Sequence, residues 1–280
     1  VKLLIVIPAH NEEENIQLCL ESLANQTFRS FRCIVVNDGS TDSTGKIVEQ
    51  FRANDRRFQL LNLGVSEHQP GAKVVRTFNK GLETVDVDQF DVICKFDADI
   101  IFPGDYLERI VEAYNNNPKA GMVSGLVSIE KGGEWVFENL SSKNHVRGPI
   151  KSYRKQCFLD MDGLRPVLGW DNIDVMLAQM HGWEVVTIKG LWVKHLRPTA
   201  YKYKAQKAEK LGEYFYNIGL SLPLAVISSA KSAIKNQSFS EFLTTIKSFL
   251  RQNKKRELSA DEIRYIRKLR WREMFKKISL

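Results

Sequence analysis

The sequence predicts an α/β fold: a mainly parallel sheet flanked by helices, followed by a basic helical extension. Three observations lead there. Short apolar runs alternate with helix-length segments through the first hundred residues. Those runs end in polar, glycine-containing or acidic turns, and the excess of positive charge is confined to residues 201–280.

The elements can be justified in order. "LLIVIP" at residues 3–8 is a buried strand, because an unbroken apolar run of this length suits a sheet covered on both faces. Ile16, Cys19, Leu20 and Leu23 then recur at helical spacing, with Asn11 as the expected N-cap and Glu12, Glu13 and Glu14 in the first turn. Residues 33–38 form a second strand, 42–54 a second helix and 58–63 a third strand. A helix over 71–84 and a strand over 91–99 ending in acids complete this half. Residues 120–130 are another strand, and 132–165 are expected to be irregular. In the helix over 169–183, Ile173, Met176, Leu177 and Met180 make the apolar stripe, and Asp171 and Asp174 lie off it. The body is expected to end near residue 200. Beyond it, Ala208, Leu211, Phe215 and Ile218 mark an amphipathic helix, with further helices to Leu280.

Composition narrows the class. With 43% apolar and 26% charged residues the chain is an ordinary globular protein. Its four cysteines, Cys19, Cys33, Cys94 and Cys157, are widely spaced and read as buried thiols in a reducing compartment. No leader-like segment is read after Val1, and the uncharged, mostly apolar stretch 218–230 contains Pro223. It falls short of the ~20 apolar residues of a spanning helix. A cytoplasmic protein is expected, with peripheral attachment to the inner face of the membrane left open. Residues 201–280 hold 18 Lys and Arg against 7 Asp and Glu, whereas residues 1–200 hold 23 against 26. A slightly acidic body thus carries a basic extension suited to an anionic partner. No nucleic-acid module is present, so nucleic acid is not the expected partner.

In parallel sheets ligands bind at the carboxyl ends of the strands. At those ends stand Pro8, Ala9, His10 and Glu12, then Asp38 and Gly39, then Gly71 and Lys73, and last Asp97 and Asp99. Two carboxylates one residue apart at a strand end can reach a hard divalent cation, Mg²⁺ or Mn²⁺, completed by substrate phosphates.

Taken together, "VIPAHNEEENI", "VVNDGSTDST", "GAKVVRTFNKG", "KFDADIIFP", an acid-bearing helix ending in Gly-Trp, and "KHLRP" resemble the family 2 glycosyltransferases. The resemblance covers about residues 1–200 and rests on six motifs in order. It implies the GT-A fold, of mixed, mainly parallel sheet, and an inverting transferase of hexosyltransferase type. By that resemblance Pro8, Ala9, His10 and Glu12 line the nucleoside site beside Gly39, and Asp38 bonds the base. Lys73 and Gly71 would meet the donor near its phosphates, Asp97 the ribose or the metal region, and Asp99 the metal. His195 matches a position that in some members holds metal or diphosphate, and it equally suits a structural histidine at a strand end. Asp171, eleven residues before Gly182, is the first choice for the general base, and Asp174 the second. Trp170 departs from the acid usual there, and Asp171 also suits an N-cap.

The same reading gives a nucleoside diphosphate sugar as donor, a glycan or lipid-linked acceptor, and a role in cell-surface polysaccharide or glycolipid synthesis. Lys151 and Arg154, in the basic cluster 147–155, are candidates for an anionic acceptor or lipid phosphate, or belong to a solvated loop. The extension, 201–280, with Tyr201, Tyr203, Tyr214, Phe215, Tyr216 and its basic end, suits an anionic membrane surface, or else a helical cap or an oligomer contact. A dinucleotide dehydrogenase is disfavoured, since no GxGxxG follows the first strand. A sugar-phosphate nucleotidyltransferase lacks its expected Gly-rich, basic N-terminal loop. The rival of another class is a non-catalytic nucleotide-sugar-binding scaffold of the same fold.

Overall fold

Alternation along the central strands sorts their side chains between two cores, one on each face of the sheet. In the computed structural model, which describes residues 1–64, 71–140, 142–197 and 207–278, strand β1 (Leu3–Ala9) sends Leu3, Ile5 and Ile7 to one core. Leu4 and Val6 go to the other. β2 (Phe31–Asp38) divides Cys33 and Val35 from Ile34 and Val36 in the same way. Strands buried on both faces read as continuous apolar runs, which is why these were visible in sequence.

β3 (Phe58–Leu63), β2, β1 and β4 (Val92–Phe96) pair in parallel. The sheet continues through β8 (Ile150–Arg154), β6 (Ala120–Lys131), β9 (Glu184–His195) and β5 (Ile100–Ile101), with β7 (Glu134–Phe137) paired to β6. β8 runs antiparallel between β4 and β6, so the sheet is mixed. Helices α1 (Ile16–Ala24), α2 (Thr44–Asn54) and α4 (Tyr106–Asn116) cover the first face. On the second lie α3 (Ala72–Leu82), α5 (Lys155–Asp160) and α6 (Trp170–Met180). There α7 (Lys207–Asn217), α8 (Leu222–Lys235), α9 (Phe239–Arg251) and α10 (Ala260–Ile278) add Phe215, Ile218, Leu224, Phe249 and Ile266 to that core. The expected boundary at residue 200, with Tyr201, Tyr203 and Leu280, lies outside the described residues. Among the described residues no helix is long and apolar enough to cross a membrane, and all four cysteines are buried and unpaired.

Three expectations are corrected. Asn11 does not cap α1, which begins at Ile16; Asn11 has φ 54° and its side-chain oxygen accepts from the Thr41 amide at 2.8 Å. The turn after β1 is thereby tied to the turn after β2 instead of opening a helix. The acid-ended strand stops at Phe96, and the Asp97–Asp99 segment is a turn. Within 132–165, expected to be irregular, the chain forms β7, β8 and α5. β8 escaped notice because a buried lysine, Lys151, stands second in it and breaks the apolar pattern.

Where α3 crosses β1 and β2 it presents Gly81, and a Cβ there would sit 2.6 Å from Val6 Cγ1 and 2.9 Å from Val36 Cγ2. Valine side chains are stiff, so this contact cannot relax by rotamer change. Gly81→Ala is expected to destabilise the fold by about 1–3 kcal/mol, outweighing alanine's helical advantage of ~1 kcal/mol. Urea denaturation midpoints of the two proteins measure it.

Candidate active site

The parallel register brings the polar strand ends level. Ala9 pairs with Asn37, and Asn37 with Asn62, so the first three strands finish together. The turns beyond are laced: Glu12 N–H donates to Thr44 Oγ1 at 2.8 Å, Asn11 N–H to Ser40 Oγ at 3.0 Å, and Ser43 N–H to the Glu13 carboxylate at 2.9 Å. His10 Nδ1 lies 2.7 Å from the Asp38 carbonyl. Gly39, at φ 61°, makes the reversal out of β2 that a side chain would resist. Asp38 is buried, with Lys73 Nζ at 3.2 Å and the Thr77 hydroxyl donating at 3.0 Å. Gly71 caps α3 at φ 76°, packed so tightly on the backbone of Leu168 that a Cβ would clash. Pro8, Ala9, His10, Glu12, Asp38, Gly39, Gly71 and Lys73 thus stand at or just beyond the carboxyl ends of the first three strands.

The acidic turn continues the same rim. Asp97 N–H donates to the Pro149 carbonyl at 2.9 Å, and its carboxylate takes a short contact from the buried Lys95 Nζ. Asp99 faces His195 Nε2 at 3.5 Å and Arg197 at 3.3 Å, while Arg197 also grips Glu12. On its other side His195 Nδ1 meets Glu138 at 3.2 Å, and Glu138 pairs with Arg147 at 2.7 Å. Burial would raise the Asp99 carboxyl, but His195 and Arg197 hold it below the usual aspartate range. For His195 burial works downward, and the hydrogen bonds its ring donates to the Asp99 and Glu138 carboxylates prevail, pushing it to about 9. Burial keeps Glu12 raised despite Arg197.

The structure separates the four remaining candidates. Asp171 is half-buried in the first turn of α6, whose N-cap is Gly169 rather than Asp171. Its carboxylate lies beside Gly148, whose carbonyl accepts from Lys95 at 3.4 Å, so it borders the Asp97 turn. Among the described residues no ion pair includes it. Asp174 points the other way: both its oxygens lie 2.7 Å from Lys151 Nζ, and Tyr153 donates to it at 2.6 Å, all buried. Lys151 is therefore an interior cation and offers nothing to an acceptor from solution. Arg154 pairs with Val92 at the far end of β4, and its guanidinium donates to the carbonyls of Ala120, Tyr114 and Asn117. Neither basic residue stands in a solvated loop, and the rim does not include Arg154.

Reading the sequence missed Lys95, Glu138, Arg147 as a buried partner, and Arg197. Lys95 carried a signal, being the one charge inside the strand before the acids, and Arg197 carried another, standing in the "KHLRP" motif two residues after His195. Trp170 gains a structural explanation: Lys95 and Lys151 lie 5.2 and 5.3 Å from its ring centroid, so the indole takes the cations that an acid would take.

No group of three or more His, Cys, Asp or Glu among the described residues is placed to hold a metal alone. Asp99 with His195 does offer a hard carboxylate and an imidazole at one point of the rim. Mg²⁺ and Mn²⁺ commonly bind through one or two side chains completed by substrate phosphates, and these residues fit a site of that kind.

Comparison with known proteins identifies the family and the fold. The family model described as Glycosyl transferase family 2 matches residues 4–163. EpsH of Bacillus subtilis (strain 168) is 28% identical over 154 residues, covering 55% of this chain and 42% of that protein. The poly-beta-1,6-N-acetyl-D-glucosamine synthase of Staphylococcus epidermidis is 29% identical over 120 residues, covering 43% and 27%. The match thus spans less than half the length of these relatives. Among solved structures, the mannosyltransferase PcManGT from Pyrobaculum calidifontis, in complex with GDP-Man and Mn²⁺, superposes with a TM-score of 0.60 at 16% identity, covering 88% of this chain and 73% of that one. S. aureus TarS 1–349, in complex with UDP-GlcNAc, gives 0.59 at 16% identity, covering 89% and 92%. At such identities the likeness speaks to the fold, which is GT-A.

The Lys151–Asp174 pair yields a prediction with a definite pH dependence. Burial raises the Asp174 carboxyl, and Lys151 opposes that. A carboxyl whose folded pKa is raised stabilises fully below its unfolded pKa and loses that contribution as pH climbs through the folded value. Lys151→Met removes the opposing charge and raises the carboxyl further. The variant is expected to lose about 3–5 kcal/mol near neutral pH. The deficit should shrink as the pH is lowered from neutrality and Asp174 takes up a proton. Denaturant midpoints at neutral and at mildly acidic pH measure it.

Proposed function

The chain belongs to glycosyl transferase family 2, and from that membership we propose that it transfers a sugar from a nucleoside diphosphate donor to a hydroxyl of a glycan or lipid-linked acceptor, inverting the anomeric carbon. The carrying observation is the rim itself. The Asp38–Lys73 ion pair and the Asp97–Asp99 turn stand at the carboxyl ends of parallel strands, and the Asp171 carboxylate lies beside Gly148, next to that turn. PcManGT and TarS, which share the fold, were solved with GDP-Man and with UDP-GlcNAc respectively. That favours a nucleotide sugar as the donor of this chain.

The roles follow from chemistry. Asp38, at the floor of the laced turns, accepts hydrogen bonds from the base, and His10 and Gly39 shape the wall beside it. Lys73 reaches from Asp38 toward the donor phosphates. Asp99 and His195 would hold a Mg²⁺ or Mn²⁺ ion together with the donor diphosphate, and Asp97 would stand beside the ribose. The ion, when bound, supplies positive charge against the charge that develops on the leaving diphosphate. Lys73 and Arg197 add cations on the same side.

An acceptor hydroxyl is a weak nucleophile and must lose its proton as it attacks. Asp171 is the base: it borders the rim, faces the Gly148 turn, and is not tied up in an ion pair among the described residues. Asp174 is locked to Lys151 and Tyr153, which removes it from that role. Attack from the Asp171 side with departure on the Asp99 side exchanges the bonds on opposite faces of the sugar, which is inversion. Glu138 acts through another residue, fixing the ring of His195.

Asp171→Asn should lower turnover of UDP- or GDP-sugar in the presence of Mn²⁺ by about 10²–10⁴-fold, leaving nucleoside diphosphate affinity unchanged. Release of nucleoside diphosphate over time measures the first and calorimetry the second. Equal turnover by the variant would remove Asp171 as the base. A well-folded wild type that binds donor and never turns it over, with any acceptor, would support the non-catalytic scaffold of the same fold.

A further inference from the structure

The charge pattern of residues 201–280 suggested an anionic surface as partner, and the structure moves the place where such a surface would be met. The basic end, α10, turns its apolar residues inward: Ile266 is buried, and Ile263, Tyr265, Leu269, Trp271 and Met274 pack on the second core. Of its apolar residues Phe275 is exposed, stacked on Trp271, and on α8 Leu222 and Ile227 are partly exposed, but the exposed apolar residues that line up side by side are on α9 and the end of α8.

Phe239, Leu243 and Leu250 on α9 are 73%, 54% and 62% exposed, and Ile234 in the last turn of α8 is 78% exposed. At ~100° per residue the three α9 side chains fall within about 40° of one another. Ile246, half-buried, lies in the same stripe. The opposite side of α9 is fixed to the body. Thr245 and Phe249 are buried, the Thr245 hydroxyl donates to the Ala208 carbonyl at 3.2 Å, and Ser248 donates to the Glu209 carbonyl at 2.7 Å. Gly212 on α7 permits that close approach, since a Cβ there would collide with the Thr245 carbonyl. The stripe is therefore held outward by packing.

Its borders are cationic. Lys247 and Arg251 flank the stripe on the helix, Lys235 follows Ile234, and Lys254 and Lys255 follow α9. The one acid of α9, Glu241, is drawn into the α8–α9 turn by Asn236 at 2.8 Å and Ser232 at 3.0 Å. An interface with another protein chain is depleted in lysine. Aliphatic and aromatic side chains bordered by Lys and Arg suit the headgroup boundary of an anionic bilayer, where long basic side chains reach outward while their stems stay in apolar contact.

We propose that α9 and the last turn of α8 form a docking surface for an anionic lipid bilayer. Ile234, Phe239, Leu243 and Leu250 enter the headgroup region, and Lys235, Lys247 and Arg251 meet the lipid phosphates. This goes beyond the transferase reading and stands whatever the acceptor.

The test is co-sedimentation of the full chain with vesicles of phosphatidylcholine alone and of phosphatidylcholine mixed with phosphatidylglycerol. The expected result is binding to the mixed vesicles only, weakened by salt. Phe239→Ser with Leu243→Ser should lower partitioning about ten-fold or more. Lys247→Glu with Arg251→Glu should lower it at least about thirty-fold, since each basic residue near such a surface contributes about 1 kcal/mol. These side chains are exposed, so thermal midpoints should match the wild type, and a variant that unfolds is replaced by Leu250→Ser. No binding to mixed vesicles, or equal binding to both kinds, would overturn the proposal. So would a wild-type dimer in sedimentation equilibrium that Phe239→Ser with Leu243→Ser converts to monomer, because a second copy would then cover the stripe.

Discussion

Carboxylates gathered in a partly dry rim cannot all stay ionised unless cations are brought to them, and this condition governs the active half of the molecule. Glu12, Asp38, Asp97, Asp99 and Glu138 are met by Arg197, Lys73, Lys95, His195 and Arg147. An isolated buried charge costs several kcal/mol, so each partner is a requirement of folding as much as of chemistry. The partners come from α3, β4, β9 and the loops around them, so neutralising the rim also fixes how those segments meet. On the proposed function, a metal ion and a diphosphate would take over the partners that these cations now meet, so binding would be an exchange of partners for Asp99 and Arg197 rather than the filling of a bare acidic pit.

That exchange depends on a scaffold that does not move. The parallel strands β3, β2 and β1 end level, β4 stops just short of them, and residues alternating between two cores hold them there. On the other side of the rim the anchor is electrostatic. Lys151 joins β8 to α6 through Asp174 and donates to the Asp171 carbonyl at 2.5 Å. Trp170 sits between that lysine and Lys95. The position of Asp171 is thus set by an interior ion pair and an aromatic ring, while its own carboxylate is left to face the rim.

Much of this was legible in sequence, for physical reasons. Apolar strands buried on both faces announce themselves, and so do glycine and acids at their ends; β1 to β4 and α6 followed, with the residues from Pro8 to Asp99 falling at strand ends as expected. Side chains whose role is set by distant partners did not. Glu138 stands far in sequence from His195 and nothing local marks it, and Arg197, though part of the "KHLRP" motif, shows nothing of its pairing with Glu12 and Asp99. Lys151 and Arg154 looked like a surface cluster because charge usually is; alternate residues of β8 instead carry one into the core and the other to the far end of the sheet. Asn11 has the chemistry of a helix cap and spends it on a neighbouring turn. The apolar residues of α10 could not be sorted without knowing that its inner side meets both α6 and α8.

Isothermal titration of UDP and GDP, with and without Mn²⁺, into wild type and Asp99→Ala tests the partner exchange most directly. The account predicts that one of the two nucleotides binds with Mn²⁺ present, and that binding is lost without the ion or in the variant. Equal affinity in wild type and Asp99→Ala, or affinity indifferent to Mn²⁺, would contradict it.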